Sequence, residues 1–270
     1  SAMQMSRGCP YACSFCDANK FFEGKYQCRD ADTVVAEIAS LPARLVFVAD
    51  DNIGISSPFL MDVLDRLKER KTKKKYWITV GAKEVLRNRG LLDKWFELGL
   101  QIVFTGMERI EDRGIAYLGK RTSVSMNDEV IDYVHSRLGI VVGSFIILPT
   151  DTADDFKRLE EYVCSRKVDV PMFCILTPFP GTDIWQQYYE QLDRDFSKYD
   201  SMHVVIPTSL PEAEFYSHFY HLYTTVNMKR LVWEMLRSIG LGSWLFKLPR
   251  TGAEIRRLSE ESTQDNFHRL

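Results

Sequence analysis

The segment Cys9-Pro10-Tyr11-Ala12-Cys13-Ser14-Phe15-Cys16 puts three thiols within eight residues, separated by three residues and then by two. The other cysteines, Cys28, Cys164 and Cys174, are scattered along a chain of 270 residues. A secreted disulfide scaffold needs a shorter, denser chain, so clustered thiols point to a metal in a reducing compartment. A loop of this kind can fold three thiolates around one face of a 4Fe–4S cube, a cluster ordinarily held by four. With three, one iron keeps an open position, which turns an electron carrier into a catalyst. The competing chemistry is a structural zinc site completed by Cys28 or a histidine. Such sites usually pair two C-x2-C knuckles, and the sequence has no second pair.

Downstream, β-branched apolar runs alternate with amphipathic patterns. Helices are expected at Val34–Leu41, from Pro58 onward (Phe59, Leu60, Val63, Leu64, Leu67 recurring at three and four), and at Glu84–Leu98, Asn127–Leu138 and Thr152–Arg166. Strands are expected at Arg44–Ala49, Tyr76–Val80, Gln101–Thr105, Ile140–Leu148 and Val170–Thr177, with the end of a first strand near Gln4–Ser6. Repeated strand–helix–strand units imply a parallel sheet, and continuous apolar strands such as Gly143–Leu148 imply burial on both faces. Six such strands with helices outside suggest a partial (β/α)6 barrel, although periodicity alone does not separate this from a flat doubly wound sheet. From about residue 183 the pattern turns helical, clearest at Phe215–Val226 and Lys229–Ile239. The expected division is a core over 1–185 and a helical C-terminal extension over 186–270.

Lys and Arg total 35 against 37 Asp and Glu, a net charge of −2, so nothing in the bulk charge calls for a nucleic-acid partner. Six basic residues between Lys68 and Lys75 fall at a helix end, where cations suit the dipole. No apolar run reaches the roughly 20 residues that span a bilayer, and the expected location is cytoplasmic. An apolar stretch from Leu231 to Leu248, flanked by Lys229, Arg230, Lys247 and Arg250, suits either a membrane interface or packing on the core. His218 and His221 lie three apart on a helix, amid aromatic residues that favour packing over metal binding. Cys28 and Cys174 read as small buried hydrophobes.

The cysteine spacing, with an aromatic before the last thiol, resembles the radical S-adenosylmethionine superfamily, and the resemblance extends over roughly residues 5–185. It implies a six-stranded partial α/β barrel and a 4Fe–4S cluster on Cys9, Cys13 and Cys16. It also implies S-adenosylmethionine at the open iron, cleaved by an electron from an external donor to a 5′-deoxyadenosyl radical. Phe15 would pack near the adenine. Ala49-Asp50-Asp51-Asn52 stands where many members have a Gly-Gly-Glu-like turn and resembles the cobalamin-binding subgroup, making Asp50, Asp51 and Asn52 candidate cofactor contacts; a turn before the next helix explains any one of them equally. Val103-Phe104-Thr105-Gly106-Met107-Glu108 resembles the segment whose Glu contacts S-adenosylmethionine. Gly143-Ser144-Phe145 and Ile175-Leu176-Thr177-Pro178-Phe179-Pro180 resemble the fifth and sixth strands, adding Ser144, Thr177 and Pro178 as candidates.

Tyr199–Thr208 loosely resembles hopanoid-methylase-like members, which methylate an unactivated carbon of a lipid. The subgroup usually carries an N-terminal cobalamin-binding domain, and here the first cluster cysteine is residue 9. The expectation is therefore a core whose corrinoid is bound by a domain absent from this chain, acting on a small-molecule or lipid substrate. Oxidative cyclisation or rearrangement within the same subgroup, and a non-catalytic zinc- or Fe–S-binding module, are the alternatives.

Overall fold

The computed structural model describes residues 1–225. In chain order the first elements are β1 (Ala2–Met3), β2 (Ser6–Arg7), α1 (Ala18–Phe21), β3 (Gln27–Cys28), α2 (Ala31–Ser40), β4 (Leu45–Val48), α3 (Ser57–Glu69) and β5 (Lys75–Thr79). They continue with α4 (Ala82–Arg87), α5 (Arg89–Glu97), β6 (Leu100–Glu108), α6 (Asp112–Tyr117), α7 (Val124–Ser136) and β7 (Ile140–Ile147). The last are α8 (Ala153–Ser165), β8 (Val170–Ile175), α9 (Asp183–Tyr188) and α10 (Glu212–Thr225).

Six strands form one all-parallel sheet in the order β1-β4-β5-β6-β7-β8. Strand order follows chain order, as expected when each crossover carries a helix to the same side of a curling sheet. Among the described residues no strand bridges β1 to β8, so the sheet is open rather than a closed barrel. The core runs along it, from Val34, Val35 and Ile38 of α2 through Tyr76, Trp95 and Val103 to Phe145 and Phe173. Phe215, Phe219 and Leu222 of α10 join this same core, and Tyr223 donates its hydroxyl to the carbonyl of Phe173 in β8. The start of the C-terminal segment is thus packed onto the β8 side of the sheet.

Local chemistry explains the helix starts. Asp30 accepts from the Thr33 amide at 2.9 Å to cap α2, and Thr152 and Asp155 form a reciprocal capping box at α8. The single helix expected over Glu84–Leu98 is two, because Asn88 leaves helical geometry (φ −118°, ψ 37°) and its amide is taken by Gly54 and Ser57. Three further elements carry no clear periodicity in the sequence: the short α6 and the antiparallel β2–β3 pair. The last core strand ends at Ile175, two residues before the expected Thr177. The helix expected at Lys229–Ile239 and the apolar stretch Leu231–Leu248 lie outside the described residues. Among the described residues no helix is long and apolar enough to cross a membrane.

Candidate active site

Parallel strands deliver side chains at their carboxyl ends, the usual place for chemistry in barrels of this type. Here those ends surround a cavity of about 370 Å³. Cys9, Cys13, Phe15 and Cys16 line it from the loop after β2, and Asp51, Asn52, Glu108, Ser144 and Thr177 from the strand ends.

The loop is pinned from several sides. Gly8 has φ +87°, and a Cβ there would lie 2.1 Å from the Lys25 carbonyl, so the turn into Cys9 requires glycine. Its amide donates to Asp51 Oδ2 at 2.7 Å. Farther along, the Ser14 amide donates to the Leu118 carbonyl and the Ile184 amide to the Ser14 carbonyl, each at 3.0 Å. Asn19 donates to the Cys9 carbonyl at 3.1 Å. Phe15 rests on a second small core built from Leu118, Ile146, Leu176, Ile184 and Trp185.

All three thiols are free and half-buried. Burial pushes each of them up, Cys13 to about 11 in spite of the nearby Lys120 ammonium. The thiolate rather than the thiol is the metal ligand, so a metal bound here would have to displace these protons. Among the described residues no three His, Cys, Asp or Glu side chains converge closely enough to hold a single ion. Three soft sulfur donors from one loop, facing an open cavity, suit an iron–sulfur cube that keeps one iron open. His218 stacks on Phe156 and His221 faces Glu160 at 3.2 Å, both away from this cavity.

Glu108 ends β6 in the left-handed region (φ +61°), at a bulge in the β6–β7 register between Gly106 and Glu108. Bulges at strand ends re-aim side chains, and this buried carboxylate is held by Lys120 Nζ at 2.5 Å. Lys120 also donates to the Gly106 carbonyl at 2.6 Å. Beneath the pair, Arg109 makes a two-pronged contact with Asp151 at 2.6 and 2.7 Å and donates to the Ile146 carbonyl at 3.0 Å, joining the ends of β6 and β7.

On the opposite wall, Glu84 is buried, accepting from the Tyr11 hydroxyl at 2.5 Å and from Asn52 Nδ2 at 3.2 Å. Burial and this carboxylate together raise the Tyr11 phenol to about 12, so it stays a donor.

Two expected residues sit elsewhere. Asp50 does not line the cavity: its oxygens are taken by the amides of Met5 (2.8 Å) and Ser6 (2.7 Å) and by the Ser6 hydroxyl, so it fastens β2 to the end of β4. Pro178 is buried between Thr177 and Phe179, which line the cavity while it does not. Cys174, expected to be a small buried hydrophobe, is half-buried on the cavity wall, and Cys28 is exposed. Lys120, Glu84 and Tyr11 escaped the sequence reading. The only signal for Tyr11 was its place inside the cysteine motif.

An open α/β sheet whose parallel strand ends face a three-thiol loop is the architecture of an enzyme with its site at the carboxyl ends of the strands. The chain belongs to the Radical SAM superfamily, whose family model matches residues 3–163. It is 28% identical over 239 residues to the hopanoid C-3 methylase of Methylococcus capsulatus, covering 88% of this chain and 46% of that protein. It is 26% identical over 214 residues to the anaerobic magnesium-protoporphyrin IX monomethyl ester cyclase of Rubrivivax gelatinosus, covering 77% and 38%. The fold matches the radical S-adenosylmethionine methyltransferase TsrM of Kitasatospora setae, solved with cobalamin and a [4Fe-4S] cluster, at a TM-score of 0.61 and 16% identity, covering 71% of this chain and 39% of that one. The chain therefore spans less than half the length of these relatives. The family implies a 4Fe–4S cluster and S-adenosylmethionine.

Proposed function

We propose that this chain is the catalytic core of a cobalamin-dependent radical C-methyltransferase acting on an unactivated carbon of a small molecule or a lipid such as a hopanoid. The observation that carries the reading is that the three thiols and the Glu108–Lys120 pair face one cavity. Cys9, Cys13 and Cys16 would hold the cluster. When bound, it supplies the electron that breaks the sulfonium carbon–sulfur bond of S-adenosylmethionine, leaving methionine and a 5′-deoxyadenosyl radical.

The protein's own work is binding and orientation. Glu108 and Lys120 offer opposite charges to the zwitterionic methionyl end, as charge-assisted hydrogen bonds favour. Phe15 supplies an apolar face for the adenine, and Ser144 and Thr177 supply hydroxyls on the far wall. Asp51 and Asn52 give the thiol side a polar lining. The likeness to hopanoid C-3 methylase supports the methyl-transfer step. The corrinoid would be held by an N-terminal domain outside these residues, and the electron would come from an external donor. No feature of the described surface calls for nucleic acid, and the cytoplasm suits the oxygen-sensitive cluster.

A second reading, oxidative cyclisation or rearrangement, draws support from the cyclase likeness. Anaerobic reconstitution tests the common part. The wild type should bind close to four irons and release 5′-deoxyadenosine under reductant, and Cys13→Ala should do neither. A wild type that takes up no cluster sinks the proposal. Methyl-labelled S-adenosylmethionine then separates the readings, since only methyl transfer labels the product.

A further inference from the structure

Asn52 sits between Glu84 and Cys9, and both hydrogens of its amide nitrogen and one acceptor position of its oxygen have partners. Its Oδ1 accepts from the Gly81 amide at 2.8 Å. Its Nδ2 carries two hydrogens. One is directed to Glu84 Oε2 at 3.2 Å, and the other faces Cys9 Sγ at 4.0 Å, the long reach of an N–H to sulfur contact.

This arrangement fixes which way the amide points. A flip would turn Nδ2 toward the Gly81 N–H, donor against donor, and Oδ1 toward the Glu84 carboxylate, acceptor against acceptor. Glu84 is itself held on both sides: it is 1% exposed and its other oxygen takes the Tyr11 hydroxyl at 2.5 Å. Tyr11 belongs to the cysteine loop, so the chain of contacts leaves the loop at Tyr11 and returns to it at Cys9. Gly81 belongs to the same device, since a Cβ there would lie 2.6 Å from Glu84 Oε2 and 3.3 Å from Asn52 Nδ2. Holding the loop in place would not require a donor aimed at a sulfur. The Asp51 bond to Gly8 and the Asn19 bond to the Cys9 carbonyl already do that.

We infer that Asn52, oriented by Glu84, is a positioning residue that sets the reduction potential of the cluster by directing an N–H at the Cys9 sulfur. A donor aimed at a ligating sulfur draws off electron density and favours the reduced cluster, so hydrogen bonds to the sulfurs are among the levers that set such potentials. The inference rests on the placement of the cluster on Cys9, Cys13 and Cys16.

The test is an EPR-monitored redox titration of the anaerobically reconstituted protein without S-adenosylmethionine. It compares the wild type with Asn52→Asp and Asn52→Leu. Asn52→Asp keeps an oxygen for the Gly81 amide while removing the donor, and Asn52→Leu removes the donor without adding charge. Both midpoints should move to more negative potential at unchanged iron and sulfide content. Unchanged midpoints with full iron overturn the inference. So does loss of the cluster from both variants, because Asn52 would then brace the loop rather than tune the metal. A wild type without iron would instead sink the cluster placement itself.

Discussion

Lys120 Nζ lies 2.5 Å from Glu108 Oε1, and the two side chains are 14% and 7% exposed, so an ion pair is closed inside the cavity wall. Removing one member of a buried pair leaves the other charge desolvated and uncompensated, at a cost of about 3 kcal/mol or more. Lys120→Met should therefore lower stability and weaken S-adenosylmethionine binding at least ~10-fold, the effect of losing one charge-assisted hydrogen bond. Calorimetric titration of the reconstituted protein measures it. Equal affinity in Lys120→Met and the wild type would remove Lys120 from the binding site.

Gly106 provides a gentler way to break the same pair. A Cβ at this position would lie 2.1 Å from Glu108 Oε1 and 2.5 Å from Lys120 Nζ, and these are the far ends of side chains rather than backbone. Gly106→Ala should thus displace the pair while the sheet stays folded, reproducing the binding loss of Lys120→Met with a smaller drop in melting temperature. Gly90→Ala is the matched control. No atom lies within 4 Å of its added Cβ, and it sits within α5, so it should stabilise by about 0.5–1 kcal/mol and leave binding alone.

His135 gives the fold a pH dependence outside the cavity. Its Nε2 lies 2.8 Å from Asp169 Oδ2, and this hydrogen bond raises the imidazole above its ordinary value of 6.5. A raised folded-state value means the added stability is fully present below 6.5 and is lost as pH climbs through the higher folded value. The side chain is 32% exposed, so solvent screening limits the effect to about 1 kcal/mol or less. Urea midpoints of the wild type should hold below pH 6.5 and fall as pH climbs through the raised folded value. His135→Gln should flatten that slope. A slope that persists in the variant would assign it to another group.

Short-range spacing made the cysteine loop readable, because three thiols within eight residues need no knowledge of the fold. The alternation of apolar strands and amphipathic helices likewise gave the parallel sheet, since fully buried strands leave continuous apolar runs. What the sequence could not show was which neighbouring polar residue faces inward. Asp50 and Asp51 are adjacent and chemically identical, yet one fastens β2 while the other lines the cavity, a choice made by the path of the chain beyond β4. Lys120 reaches Glu108 across a bulge and an intervening helix, and no local pattern encodes that meeting. Glu84 looked like one more charge on an amphipathic helix. Only the break at Asn88 and the turn at Gly81 place it inside the wall.

The pair directly behind Glu108 should decide how firmly that residue is presented. Arg109 and Asp151 are 9% and 5% exposed, and Asp151 also accepts from the Leu148 amide at 2.9 Å. Asp151→Ala strands a buried guanidinium and a backbone N–H together, so it should cost about 3–5 kcal/mol in anaerobic urea unfolding. The double variant Arg109→Met with Asp151→Leu removes both charges and keeps apolar volume, and should recover most of that loss. Stability and binding should then part company. The double variant loses the contact from Arg109 to the Ile146 carbonyl that ties the end of β6 to β7. Its S-adenosylmethionine affinity should accordingly stay below wild type even where its unfolding midpoint returns. Full recovery of both would show that the left-handed turn at Glu108 is held by its own bulge and by Lys120 alone.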